Sequence, residues 1–145
     1  MRAMKLLSVL ASIFTLSAAH AQDPWYAQVQ ALLTDDANAM ASYDLTLSHD
    51  VMYGSLNDGD RSLFTAQLNA GTTYFILAEC DEDCYDLDLK LYRADGTLVL
   101  QDIGTDEFAV IRITPAQTRT YQIQPVMATC GRNPCRWGVG IFSDQ

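Results

Sequence analysis

Basic residues are scarce in this chain of 145 residues. Lysine and arginine together number 9 against 18 aspartates and glutamates, so the formal net charge is −9 at pH 7. A field of that sign repels phosphate backbones and anionic lipid headgroups, and an acid excess also keeps a protein soluble. We therefore expect no nucleic acid as a partner, and we expect cations or basic protein surfaces instead.

Long apolar runs are also rare, and the one that stands out covers residues 6–16. It follows a basic start with Arg2 and Lys5 and precedes Ala19-His20-Ala21, which is an A-x-A cleavage motif. This order predicts a signal peptide over residues 1–21, and the run is too short to span a bilayer. We expect an exported protein, periplasmic or extracellular, with no membrane span.

Cleavage after Ala21 would leave 124 residues, a length that suits one domain with a single core. It would also remove Arg2 and Lys5, so that seven basic residues would face 18 acids and the net charge would become −11.

Catalytic motifs are lacking. Beyond the predicted signal peptide one histidine remains, His49, and no Gly-x-Ser-x-Gly motif places a nucleophile. Carboxylates are so abundant that no single pair indicates a glycosidase. The sequence therefore predicts no catalytic residue and favours a non-enzymatic role, with an uncharacterised hydrolase as a third choice.

Cysteines number four, and they are Cys80, Cys84, Cys130 and Cys135. An even count in an exported chain indicates disulfides. Because each sequence-local pair brackets a short loop, we expect the pairs 80–84 and 130–135. A cross-pairing that joins the two loops is the alternative, and a zinc site fits the export signal less well.

The first segment after the leader, residues 22–42, has helical periodicity. Asp23 and Pro24 form a helix start, and apolar residues such as Trp25, Val29 and Leu33 then recur at helical spacing. We predict one N-terminal helix that covers an end or an edge of the sheets.

From residue 43 the period changes to two. Strands are predicted at residues 43–47, 64–68, 72–78, 86–92, 97–100, 108–113, 121–127 and 137–141, with turns at residues 57–60 and 95–96. The strand at 72–78 is apolar on both faces and so is expected to be central. Leu87, Leu89 and Leu91 should share a buried face, and Pro125 suggests an edge or a bulge. About eight strands over residues 43–145 indicate an antiparallel β-sandwich.

Carboxylates cluster in and after the first cysteine loop. Calcium takes six to eight oxygen ligands in flexible geometry, which such loops supply. Calcium is thus the candidate cofactor for this cluster, and the alternative interpretation is a solvated acidic rim with no bound ion. The candidate ligands are Asp81, Asp83, Asp86 and Asp88.

Aromatic side chains offer a second candidate site. Tyr85, Tyr92 and Trp137 would make a platform for a glycan or for another extracytoplasmic protein. Trp137 alternates with the apolar residues of its strand, so we expect it in the core. Arg132 and Arg136 flank the second cysteine loop and are its only basic feature.

Three segments, residues 64–74, 86–96 and 121–123, resemble the bacterial pre-peptidase C-terminal (PPC) domain. The resemblance spans residues 51–142 and implies a jelly-roll-like β-sandwich, usually an accessory module appended to secreted enzymes. It also implies a candidate calcium site, because some members of that domain family bind calcium. The chain departs from that family at Thr118-Arg119-Thr120, where a Ser-Gly is usual, and it carries no catalytic domain.

A weaker resemblance links the chain to periplasmic lysozyme inhibitors of small β-sandwich type. The shared features are an aromatic strand, a glycine turn and a late strand with a tyrosine, while the inhibitory Ser-Gly-x-Tyr-like loop is missing. The expected function is a non-enzymatic binding or accessory module, and the alternative is an inhibitor of a basic hydrolase such as lysozyme.

Overall fold

The computed structural model describes residues 23–144, so the predicted signal peptide lies outside the described residues. This part of the chain folds into one helix and nine strands. In order they are α1 Pro24–Ala41, β1 Thr46–Leu47, β2 Met52–Leu56, β3 Phe64–Leu68, β4 Tyr74–Cys80, β5 Cys84–Arg93, β6 Leu98–Asp102, β7 Phe108–Ile113, β8 Arg119–Cys130 and β9 Cys135–Ser143.

The strands form two antiparallel sheets that stack as a sandwich. The five-stranded sheet has the order β1-β9-β4-β7, and β2 also pairs with β9. The four-stranded sheet has the order β3-β8-β5-β6. The predicted all-β sandwich with one N-terminal helix is confirmed, with nine strands in place of about eight.

The core lies between the two sheets. Leu87, Leu89 and Leu91 of β5 are at most 2% exposed and belong to the same buried cluster as Tyr74 and Ile76 of β4. The intervening residues of β5 are half-buried on the outer face. The predicted alternation along β5 is therefore confirmed, as is the hairpin turn after it, where Gly96 has a positive φ of 85°.

Helix α1 packs on the outer face of the five-stranded sheet. The side chain of Asp23 accepts the backbone N–H of Trp25, which confirms the predicted cap. Val29 and Leu33 are buried directly above Gly138 of β9, where a Cβ would lie under 3 Å from each. The helix therefore covers a face of the sheet, where an end or an edge was expected. No helix among residues 23–144 has the length and apolar character that a membrane crossing requires.

The start of the sandwich differs from the prediction. Residues 43–45 terminate the helix, because the N–H of Leu45 bonds to the carbonyl of Met40 and Asp44 adopts a φ of 60°. Strand β1 is thus only two residues long. Strand β2 was not predicted, since Met-Tyr-Gly-Ser-Leu shows no clear alternation, yet it pairs along β9 with Gly54 opposite Trp137.

Pro125 lies in β8, an interior strand. Pairing with β3 ends at Ile123, and beyond it the Pro125 carbonyl accepts the N–H of Ser62. Because the N and C=O of one strand residue point the same way, the missing N–H of Pro125 faces the segment before β3 and leaves the β5 ladder intact. The predicted edge or bulge at Pro125 is therefore wrong, because the proline lies within an interior strand whose register with β5 is regular at that residue.

Candidate functional site

The two cysteine loops lie side by side at one end of the sandwich. Cys80 is bonded to Cys84 across the β4–β5 connection, and Cys130 to Cys135 across the β8–β9 connection. The N–H of Gly131 donates to the carbonyl of Asp83, which joins the loops. The predicted local pairing is confirmed, and two disulfides suggest an oxidising, exported environment. We call this region the disulfide end.

Arg136 connects the disulfide end to the helix. Its backbone N–H donates to Oδ2 of Asp81 at 2.6 Å, and the backbone N–H of Asp81 donates to the Arg136 carbonyl. The guanidinium bonds to Oδ2 of Asp23 at 2.6 and 2.7 Å and lies over the ring of Tyr26. One residue therefore holds the start of the helix, β9 and the first disulfide loop together, through its side chain and its backbone.

A groove of about 710 Å³ opens between α1, the first disulfide loop and the start of β7. None of the described residues that line it is basic. Its acidic lining consists of Asp35, Glu79, Asp81, Glu82 and Glu107. We call it the acidic groove.

The rest of the groove is apolar. Leu32, Tyr85 and Phe108 line it and are 38%, 61% and 37% exposed. The first disulfide, Cys80–Cys84, contributes to the same wall. Exposed apolar side chains gathered beside acids suit a ligand that has both an apolar and a cationic part.

Glu79 is the most unusual group in the groove. It points to the outer face of β4, is only 8% exposed and meets Asp36 of α1. Burial, the charge of Asp36, the hydrogen bond to Asp36 and the charge of Glu107 raise the pKa of Glu79 to about 8. Burial also raises the pKa of Asp36, although its bond to Glu79 opposes this. The pKa of Glu79 therefore lies above neutral pH.

Asp81 is buried more completely, at 3% exposure. Burial raises its pKa, while hydrogen bonds from the backbone of Arg136 and Asp83 oppose that rise. Its Oδ1 is buried and has no hydrogen-bond partner among the described residues. The groove thus contains an acceptor that lacks a donor.

The four predicted calcium ligands lie in different surroundings. Asp81 bonds to the backbone of β9, whereas Asp86 faces Asp106, whose charge adds to burial in raising the pKa of Asp86. Burial and the charge of Asp86 likewise raise the pKa of Asp88, with Lys90 opposing them. Within residues 23–144 no three His, Cys, Asp or Glu side chains are grouped to hold a metal ion. Calcium at Asp81, Asp83, Asp86 and Asp88 stays a prediction.

The predicted aromatic platform is dispersed. Tyr85 lines the acidic groove, whereas Tyr92 lies on the four-stranded sheet, where its hydroxyl donates to Gln124. Trp137 is buried and stacks on Phe64 at 6.3 Å between ring centroids, which confirms its expected place in the core. Tyr85 alone contributes to the candidate site.

Ser48 and His49, which lie between β1 and β2, contact two further strands, β3 and β9. Nε2 of His49 donates to the carbonyl of Gln67, its Nδ1 lies 2.8 Å from Oγ of Ser48, and that hydroxyl donates to the carbonyl of Ile141. No sequence motif predicts the contact between Ser48 and His49. Both side chains are anchored to backbone carbonyls, which indicates a structural use.

The acidic groove was not predicted from the sequence. Two signals point to its buried pair. Asp36 continues the helix stripe of Val29 and Leu33 at a spacing of three, and Glu79 lies in β4, an otherwise apolar strand that is buried on both faces. Charged residues at buried positions are candidates for functional sites, because such groups cluster there.

Comparison with known proteins gives no relative: no protein-family model matches the chain, and no curated protein matches it.

Proposed function

We propose that this protein is a binding module that works outside the cytoplasm and receives a basic partner in the acidic groove. The observation that carries this proposal is the groove lining, where five acids lie beside exposed apolar side chains and no basic residue of the described segment 23–144 is among them. The net charge of −9 would draw a basic partner from a distance.

The PPC resemblance supports an accessory role of this kind. In such a role the module would hold a secreted enzyme or its substrate by surface contact and perform no chemistry itself. The two disulfides agree with that setting, because they suit an oxidising compartment.

The alternative proposal is an inhibitor of a basic hydrolase such as lysozyme. The same groove supports it, because an inhibitor would press acids and exposed apolar side chains against a basic enzyme. Inhibition of lysis by the purified protein separates this alternative from simple binding.

The test measures capture of a basic lysozyme, and of blocked decapeptides with alternating glycine and lysine or glycine and glutamate, by the immobilised protein at low salt. The groove variant Asp35→Lys/Glu82→Lys reverses two exposed acids of the lining. The control variant Asp50→Lys/Asp144→Lys makes the same charge change at exposed positions near the opposite end of the sandwich.

We expect capture of the lysine peptide and none of the glutamate peptide. The groove variant should bind about ten-fold or more weakly, and the control variant within about two-fold of the original protein. Equal losses in both variants would mean that net charge alone drives binding, which contradicts the proposal. So would a failure to capture any basic ligand.

A further inference from the structure

The pair formed by Glu79 and Asp36 lacks a cation. Glu79 is more than nine-tenths buried, and none of the described residues, 23–144, forms an ion pair with it. The strands beside β4 place Gly138 and Phe108 opposite Glu79, so neither brings a charge. The charged groups near Glu79 are Asp36 on α1 and Glu107 before β7, and both are acids.

A further acceptor in the groove has no donor. Oδ1 of Asp81 is buried without a hydrogen-bond partner in the described part of the chain. Leaving a buried acceptor unpaired is costly, so folded proteins seldom keep one without a use for it. A group with several N–H donors and a positive charge would satisfy this oxygen.

The acidic groove gives such a cationic group access to the carboxylates from solvent. Glu79, Glu107 and Asp81 line the same opening as Leu32, Phe108 and Tyr85. The methylene stem of a lysine or arginine would lie along the apolar side chains while its cationic end reaches the carboxylates. The ring of Tyr85 adds a face that attracts cations.

We propose that Glu79, with Asp36 and Glu107, forms a subsite for one lysine or arginine side chain of the partner. This subsite rests on the proposed function, because it specifies what the acidic groove holds.

Binding at this subsite releases a proton. Glu79 holds a proton at neutral pH, and a cation pairs with its carboxylate form. The Glu79 proton therefore passes to the buffer as the ammonium or guanidinium arrives, and the cation keeps its own charge. Below about pH 8 the affinity should rise with pH, by up to about ten-fold per unit.

The experiment measures the binding of blocked lysine, arginine and norleucine decapeptides by calorimetry at pH 6.5, in two buffers of different ionisation enthalpy. It compares the original protein with Glu79→Gln and with the control Asp50→Asn, which removes one exposed charge elsewhere. We expect lysine and arginine peptides to bind and the norleucine peptide to fail. About one proton should leave per peptide bound.

In Glu79→Gln we expect about ten-fold weaker binding at pH 8 and loss of the proton release, while Asp50→Asn behaves as the original protein. Proton release is measured on the unmodified protein, so the proposal can fail even if Glu79→Gln does not fold. Basic peptides that bind with no proton release would overturn the subsite and leave the acidic groove standing. Absence of any basic peptide binding would overturn both.

Discussion

Arg136 shows how one side chain fixes several elements. Its guanidinium donates to Asp23 and to the carbonyl of Pro134. Partial burial tends to raise the pKa of Asp23, but the bond to Arg136, the N–H of Trp25 and the guanidinium charge outweigh it and lower that pKa. The helix cap is thus ionised and bound at both oxygens.

Replacing Arg136 should therefore loosen the start of α1. We expect Arg136→Gln to lower the melting temperature by about 3–6 °C, because the Asp23 carboxylate loses its partner. Circular dichroism measures the melting temperature. Arg132→Gln serves as a matched control, since Arg132 is exposed and lies in the same disulfide end. Equal melting temperatures for both variants would contradict this role of Arg136.

Glu79 makes stability depend on pH. In the unfolded chain its pKa is near 4.5, and in the folded protein it is about 8. Between these values the folded state keeps a proton that the unfolded state has lost, so a rise in pH favours unfolding. The contribution of Glu79 is complete below about pH 4.5 and is lost as pH rises through about 8.

We therefore expect Glu79→Gln to overtake the original protein in stability as pH rises. At pH 9 its free energy of unfolding should be higher by on the order of 1–3 kcal/mol, since a neutral amide replaces a buried carboxylate. Urea unfolding at pH 5, 7 and 9 measures this. A difference in free energy of unfolding between the two proteins that does not change with pH would show that the pKa of Glu79 is not raised by folding.

At the scale of elements, the packing of α1 against the five-stranded sheet depends on Gly138. A Cβ there would lie 2.7 Å from Leu33 Cδ1 and 2.8 Å from Val29 Cγ1. We expect Gly138→Ala to destabilise the protein by about 1–3 kcal/mol by pushing the helix outward. Hydrogen exchange should quicken in residues 24–41 while the four-stranded sheet keeps its protection.

Gly104→Ala is the control for that substitution, because a Cβ there meets nothing closer than 3.4 Å. If residues 24–41 of both alanine variants exchange their amide hydrogens at the rate of the original protein, the packing of the helix does not depend on the absence of a side chain at Gly138.

The regular elements could be predicted because their signals are local. Alternation identified β5, and the Asp95-Gly96 turn identified the β5–β6 hairpin, where Gly96 indeed adopts a positive φ. Strand β2 was missed because its order comes from pairing with β9, a partner about 80 residues away along the chain. The leucine at 45 was assigned to a strand, whereas it completes the helix end.

The candidate site could not be predicted from the sequence for a related reason. Glu79 and Asp36 are each visible in the sequence, but their meeting depends on which face of the sheet the helix covers. That choice is made by Gly138 and by the apolar outer face around Leu77 and Phe142. No local pattern encodes it.

At the scale of the whole molecule, charge is the dominant feature. With a net charge of −9, like charges repel one another across the surface. The screening length falls from about 30 Å at 0.01 M salt to about 10 Å at 0.1 M. We expect the melting temperature to rise by about 3–6 °C over that range of sodium chloride, as measured by differential scanning fluorimetry.

Calcium is tested in the same assay. At matched ionic strength, a site at Asp81, Asp83, Asp86 and Asp88 should give calcium chloride an extra rise that EDTA reverses and that magnesium chloride does not produce. Calcium and sodium curves that coincide would make the calcium prediction wrong.

The position of β9 has a consequence for how the protein is made. This strand comes last in the sequence, yet it pairs with β1, β2 and β4 and lies under α1. A chain still emerging from the ribosome has no template on which those four elements can assemble. The larger half of the sandwich must therefore wait for synthesis to reach residue 143, so we expect its order to arise only after nearly the whole polypeptide has been made.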